Sequence, residues 1–252
     1  MLDQLSVFDA MAQTAFITRR TTTWKDGQRV QGRGWKGVES SFDSFFGFMV
    51  NIRLKYSEDI FREKIEALDR EVVAPVKLVD VVLDEDAEDE WKVTATCARH
   101  DGNTYHVKAK YIIGCDGGNS AVRRLAGIAM EGENKEDHWV RIDGVVKTNM
   151  PDSRLGFAAI ESKNHGHVLW VALDHSATRI GYVLTPEMYK KYGRDMSKED
   201  AVKEAKAALA PFELEFVEVH WYVNQWVRGL LMPIELCASF SRAERPQDHA
   251  PS

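Results

Sequence analysis

Asp116, Ser120 and Arg123 lie within one short stretch, Gly114-Cys-Asp-Gly-Gly-Asn-Ser-Ala-Val-Arg-Arg-Leu-Ala-Gly-Ile128, where two consecutive glycines precede a segment able to start a helix. The apolar run Tyr111-Ile-Ile113 comes just before and reads as a buried strand. A strand, a glycine turn and a helix N-terminus together suit an anion or a sugar. Glycines allow close backbone approach, freed N–H groups point outward, and the helix dipole favours negative charge. Asp116 at the strand end can accept hydrogen bonds from ribose hydroxyls. Gly117 and Gly118 supply the approach, Ser120 is placed to cap the helix, and Arg123 follows one turn later. Glycine count alone fits an ordinary strand-turn-helix corner equally well.

Few other residues compete for a chemical role. There is no Ser-His-Asp set or paired-carboxylate motif, and no catalytic residue can be named. His165 and His167 stand two apart, but without a third ligand at suitable spacing no metal site is expected. Asp174 and His175 read as turn residues. A net charge of −6 over 252 residues argues against nucleic acid as a partner. Cys97, Cys115 and Cys237 are odd in number and widely spaced, which suggests free thiols in a reducing compartment. No run of about 18 apolar residues offers a membrane span. Asp3 and Asp9 replace the basic start of a signal peptide, so a cytoplasmic protein is expected.

Several elements must position these residues. Residues Ala15 to Trp24 alternate into a strand, and Asp26-Gly27 marks a hairpin turn. Phe42 to Ile52 is dense in aromatics and reads as buried. Ser57 to Leu68 reads as a helix with Ile60, Phe61, Ile65 and Leu68 on one face. Val76–Leu83, Trp91–Ala98 and Tyr105–Ile113 form three antiparallel strands, with the acidic run Asp84 to Glu90 as a solvated hairpin tip. After the glycine turn the pattern changes to four strands, at Trp139–Thr148, Leu155–Glu161, Val168–Leu173 and Arg179–Leu184. Helices at Pro186–Tyr192 and Ser197–Leu209 and a strand at Phe212–Val223 complete the pattern, with Ser197 as an N-cap. The expected class is α/β (α+β), with a domain over residues 1–130, an antiparallel-sheet domain over 131–223, and a divergent, disordered tail over 224–252.

The string Gly-Cys-Asp-Gly-Gly-x-Ser-x-Val-Arg closely resembles the Asp-Gly segment of FAD-dependent aromatic hydroxylases of the phenol 2-monooxygenase and p-hydroxybenzoate hydroxylase family. Arg33-Gly-Trp35, Lys55-Tyr-Ser-Glu-Asp-Ile-Phe-Arg-Glu63, Asp143 to Pro151, and His167 to His175 leading to Thr178-Arg-Ile-Gly-Tyr182 extend the resemblance from about Phe16 to Trp221. It implies a partial, Rossmann-like FAD-binding domain with a β-meander, followed by a sheet that walls an aromatic substrate pocket. It also implies FAD as cofactor, NAD(P)H as co-substrate, O₂, and a small phenolic or other aromatic substrate. Asp116, Gly117, Gly118, Ser120 and Arg123 would then be cofactor-binding, and Trp170, Arg179 and Tyr182 would line the pocket. Those three alternate along strands, where only one face looks inward, so packing roles stay open.

The resemblance also marks departures. Gly-x-Gly-x-x-Gly and the family's second flavin motif, Gly-Asp-Ala-x-His, do not occur, which implies a chain truncated at both ends. Leu54 stands where many relatives carry a flavin-contacting glutamine. Without a neighbouring βαβ unit, the strand at 111–113 is expected to form an open apolar edge, giving aggregation or a homodimer. The alternative to a monooxygenase is an inactive remnant or interaction module that keeps the fold interior without holding FAD.

Overall fold

Strand alternation and two helical stripes build the chain, and a computed structural model describes residues 1–31, 46–84, 86, 88, 90–130, 138–193 and 196–226, the last three by backbone only. Arg33-Gly-Trp35, the first part of the aromatic-rich stretch, part of the acidic tip and the tail from residue 227 lie outside the described residues. The elements are α1 (Phe8–Thr14), β1 (Phe16–Thr18), β2 (Arg20–Lys25), β3 (Gln28–Arg29), β4 (Met49–Asn51) and α2 (Leu54–Glu66). Next come β5 (Val76–Leu83), β6 (Val93–Arg99), β7 (Thr104–Ala109), α3 (Ala121–Leu125) and β8 (His138–Thr148). Then follow β9 (Gly156–Ser162), β10 (Gly166–Ala172), β11 (Thr178–Val183), α4 (Pro186–Tyr192), α5 (Lys198–Ala208) and β12 (Leu214–Trp226).

The chain divides into two compact units, one of Met1–Glu71 with Lys135–Arg228, the other built on Val72–Asn134. One division falls after Asn134, near the boundary expected at about residue 130, while the segment up to Glu71 groups with the later sheet and not with the meander. In the first unit seven strands run in the order β12-β8-β11-β10-β9-β2-β3. Neighbours are antiparallel except β2 and β9, which pair in parallel from Arg20↔Gly156 to Lys25↔Glu161. That pairing joins residues about 136 positions apart, and local alternation carries no signal for it. The β2–β3 turn forms as expected, with Asp26 at φ +49 and Gly27 at φ +76, the geometry that Asp-Gly favours. A β-carbon on Gly27 would also lie 2.5 Å from the Pro211 ring, so that position has no room for a side chain.

One sheet face carries the main core. Trp24, Ile142, Ile160, Val168, Trp170, Ile180 and Tyr182 pack with Ala201, Ala205, Ala208 and Leu209 of the α5 segment. Small residues on α5 let the helix approach the strands closely. Ser197 caps α5 by accepting from the Asp200 N–H at 3.0 Å, and Thr185 caps α4 from the Met188 N–H at 3.3 Å. β12 runs on to Trp226, three residues beyond the strand end expected at Val223. By contrast α2, expected to bury an apolar face, holds no buried residue, and Leu68 just beyond it is 64% exposed.

The second unit is the expected three-stranded meander, β5-β6-β7, with α3 packed on β5. Its last strand ends at Ala109, so Tyr111-Ile-Ile113 is not a strand. Tyr111 is 83% and Ile113 84% exposed. Among the described residues no strand lies beside this run, and β structure needs a partner ladder. The expected open strand edge is therefore an exposed apolar segment.

Candidate functional site

The glycine turn is organised by its own aspartate. Asp116 Oδ1 accepts from the Ser120 hydroxyl, while Oδ2 accepts from the N–H groups of Ala121 and Val122, the latter at 3.2 Å. Ser120 Oγ in turn accepts from the Arg123 N–H at 2.9 Å, making it the N-cap of α3. The carboxylate itself thus satisfies the first turn of the helix, where orphan N–H groups need acceptors. The Ser120 hydroxyl and these two N–H groups hold the Asp116 carboxyl below the usual carboxylate range. Asp116 was expected to look from a strand end toward a ligand. It lies instead in an exposed turn, with most of its acceptor capacity directed at α3.

Two features of this turn are left open. A β-carbon at Gly117 or Gly118 would meet no atom within 4 Å, and Gly117 sits at φ +75, where a side chain is disfavoured. Arg123 Nε is buried and has no hydrogen-bond partner among the described residues. A buried N–H without an acceptor is costly, of order 1–3 kcal/mol, and marks a place where an acceptor would bind favourably.

The three expected pocket residues separate onto two faces of the seven-stranded sheet. Register pairs Trp170 with Ile180 and Val168 with Tyr182, all on the helix-backed side. Trp170 donates Nε1–H to the Ser153 carbonyl at 2.7 Å, and the Tyr182 hydroxyl donates to the Ala201 carbonyl at 2.9 Å. Burial pushes the Tyr182 hydroxyl's pKa up, so it stays protonated and serves as a donor. Both side chains are core, with no surface to offer a ligand. Alternation places Arg179 on the opposite face, directly across from Asp143 on β8. The pair is bidentate, with both contacts at 2.8 Å, and Asp143 holds the guanidinium firmly protonated. The Arg179 guanidinium lies 5.8 Å from the ring centre of Trp221, a residue 42% exposed.

A second polar cluster in the same unit was not legible beforehand. Asp174, in the turn between β10 and β11, has a fully buried side chain. It accepts from the Arg53 backbone N–H and from Arg53 Nε, each at 2.7 Å, and from His175 Nδ1 at 3.1 Å. Burial works against the Asp174 charge, but the Arg53 guanidinium and N–H outweigh it and leave the carboxyl below its ordinary range. Arg53 NH1 also meets His220 Nδ1 on β12 at 2.6 Å. Arg154 donates to the carbonyls of Ala177 and Leu173, closing the turn from another side. Leu54, next to this cluster, begins α2 and is 71% exposed. Sequence showed two turn residues at 174 and 175; their partners lie about 120 positions away, at the head of α2.

A family model described as FAD binding domain matches residues 72–224. The chain is 30% identical over 153 residues to 3-hydroxybenzoate 4-monooxygenase of Comamonas testosteroni, covering 58% of this chain and 24% of that protein. It is also 30% identical over 121 residues to FAD-dependent monooxygenase imqC of Aspergillus flavus, covering 46% of this chain and 53% of the relative. The chain therefore spans between about a quarter and about half the length of these curated relatives. Among solved structures, the flavin-dependent monooxygenase PieE in complex with FAD and substrate superposes with a TM-score of 0.68 at 16% identity, over 92% of this chain and 42% of that one. The p-nitrophenol 4-monooxygenase PnpA of Pseudomonas putida DLL-E4 gives 0.64 at 16%, over 90% and 56%. At these identities the likeness is one of fold. Among the described residues, no helix is long and apolar enough to cross a membrane.

Proposed function

Because this chain belongs to the FAD binding domain family, we propose that it serves an FAD-dependent monooxygenase reaction on a small phenolic or other aromatic substrate, with NAD(P)H and O₂ as co-substrates. The observations that carry the reading are the buried Arg123 Nε, which has no partner among the described residues, and the open Gly117–Gly118 backbone of the same glycine turn and helix. These residues fit a polar, hydrogen-bond-accepting part of FAD. Arg123 supplies a fixed donor, and the glycines allow close approach. Asp116 and Ser120 hold the turn so that the donor stays in place. Bound FAD would supply the redox chemistry, taking electrons from NAD(P)H and activating O₂.

On the sheet, Arg179 is the pocket residue this reading retains. Its charge is fixed by Asp143, and it lies beside the half-open Trp221 ring on the face away from the helices. Trp170 and Tyr182 support that wall from behind. The names of the relatives favour an aromatic substrate, since they include a 3-hydroxybenzoate and a p-nitrophenol monooxygenase.

Titration of FAD into the chain, followed by flavin fluorescence, tests the cofactor site. Saturable quenching is expected. Arg123→Ala and Arg123→Lys should both weaken it by about ten- to a hundredfold, the worth of one charged hydrogen bond at roughly 1.5–3 kcal/mol. No saturable signal from the parent chain, or equal affinity in both variants, would overturn the assignment.

A further inference from the structure

We propose that His220 and Arg53 form a pH-sensitive latch, in which neutral His220 ties β12 to the head of α2 and protonation of the ring releases that tie. The latch stands apart from the cofactor and substrate readings above and draws on neither.

The partners dictate where the hydrogens lie. A guanidinium can only donate, so the 2.6 Å contact from Arg53 NH1 requires a lone pair on His220 Nδ1. The ring is therefore neutral in this contact. Its hydrogen sits on Nε2, where Glu218 accepts at 3.3 Å. A second ring proton would have to go on Nδ1, which sets two donors face to face with no acceptor between them.

β12 is shaped to present this ring. Val217 and His220 have no partner in the register with β8, so each is an extra residue in the strand. Bulges of this kind re-aim a side chain and disrupt the local ladder. Gly144 on β8 admits the displaced backbone, since a β-carbon there would collide with the Glu218 carbonyl oxygen. The His220 side chain is left 21% exposed, within reach of protons from solvent.

Arg53 cannot step aside when the ring becomes charged. Its Nε and NH2 both hold the fully buried Asp174 side chain at 2.7 Å, and NH2 also reaches the Tyr56 hydroxyl at 3.2 Å. Glu218 favours an imidazolium, but its side chain is 68% exposed and water screens its pull. Arg53 is only 15% exposed and repels the imidazolium at shorter range. The other charged groups nearby are engaged elsewhere. Asp143 and Arg179 neutralise each other, His175 bonds to Asp174, Arg154 donates to the Ala177 and Leu173 carbonyls, and the Lys55 ammonium lies 5.8 Å from the Tyr56 ring centre. The bulge is the weaker attachment, so it is the part that lets go. Trp221 follows His220 directly and lies against Arg179, so the release reaches the sheet face away from the helices.

The test follows amide exchange in the full chain, corrected for its intrinsic pH dependence, from about pH 8 to about pH 5.5, within the range where histidine changes charge. On lowering the pH, protection of β12 residues 216–223 should fall by about tenfold, the effect of losing one hydrogen bond to a charged group. β10 should keep its protection. His220→Asn, whose side-chain oxygen accepts in place of Nδ1 without titrating, should hold the bulge protected at both ends of the range. His220→Leu, which offers no acceptor, should leave it equally unprotected at both. In the parent at the high end, nitrogen NMR should find the His220 hydrogen on Nε2. A bulge equally protected at both ends in the parent, a fall in His220→Asn as large as the parent's, or a hydrogen on Nδ1 would each overturn the latch.

Discussion

On the helix-backed face of the seven-stranded sheet, Trp170 and Tyr182 are buried and direct their polar atoms to backbone carbonyls. At the Asp116 turn of the other unit, the glycines face open space and Arg123 keeps a buried donor without an acceptor among the described residues. The first region satisfies its groups internally and rewards burial with stability. The second satisfies a helix end through Asp116 and leaves capacity over. Large aromatics in a promising strand therefore need not mark a pocket, and an unfilled donor in a short turn is the better sign of a ligand.

The contrast can be broken by substitution. Trp170→Ala should have the largest effect, a loss of about 3–5 kcal/mol from the cavity left in the sheet core, read by urea unfolding. A small effect would mean that Trp170 is not core. Asp174→Ala should follow, at about 3 kcal/mol by the same measurement, because Arg53 would lose its buried partner. Acid should act next, through Asp174 and Glu204. Burial opposes the charge on Glu204, but hydrogen bonds from Tyr192, His165 and Lys191 prevail and hold it low. Both carboxyls are depressed on folding, so the unfolded chain binds more protons. Their contribution is full above the unfolded values, 3.8 for Asp and 4.5 for Glu, and falls away as pH drops through the folded ones. Acid should therefore weaken the sheet unit, as followed by exchange of its amides below about pH 5.

Ser120→Ala should cost about 1 kcal/mol, confined to α3, and raise amide exchange at Arg123 more than in β8. The smallest effect belongs to the paired change Tyr111→Ser and Ile113→Ser. Both side chains are exposed, so unfolding of this chain should shift by no more than about 0.5 kcal/mol. A large destabilisation would restore the buried strand that their composition suggested.

Much of the element pattern was readable from local periodicity. Period-two alternation located β5, β6 and β8 to β11 within two residues or so, and Ser197 announced the start of α5. Other features were not readable from one segment at a time. The apolar run at 111–113 met the local criteria for a strand, yet a strand exists only where a neighbouring ladder receives it. Nothing in its local sequence singles out Arg53, whose N–H and guanidinium the fold brings to Asp174.

The amino-acid order alone determined the turn chemistry at Asp26-Gly27, the helix cap at Ser120 and the kinship carried by the Asp116 string, because each depends on residues within a few positions of one another. Only the tertiary structure decided that Trp170 and Tyr182 face the helices while Arg179 faces away, that β2 pairs in parallel with β9, and that His175 has a buried carboxylate behind it. Those outcomes depend on which distant surfaces are excluded from water together, and that is a property of the assembled layers.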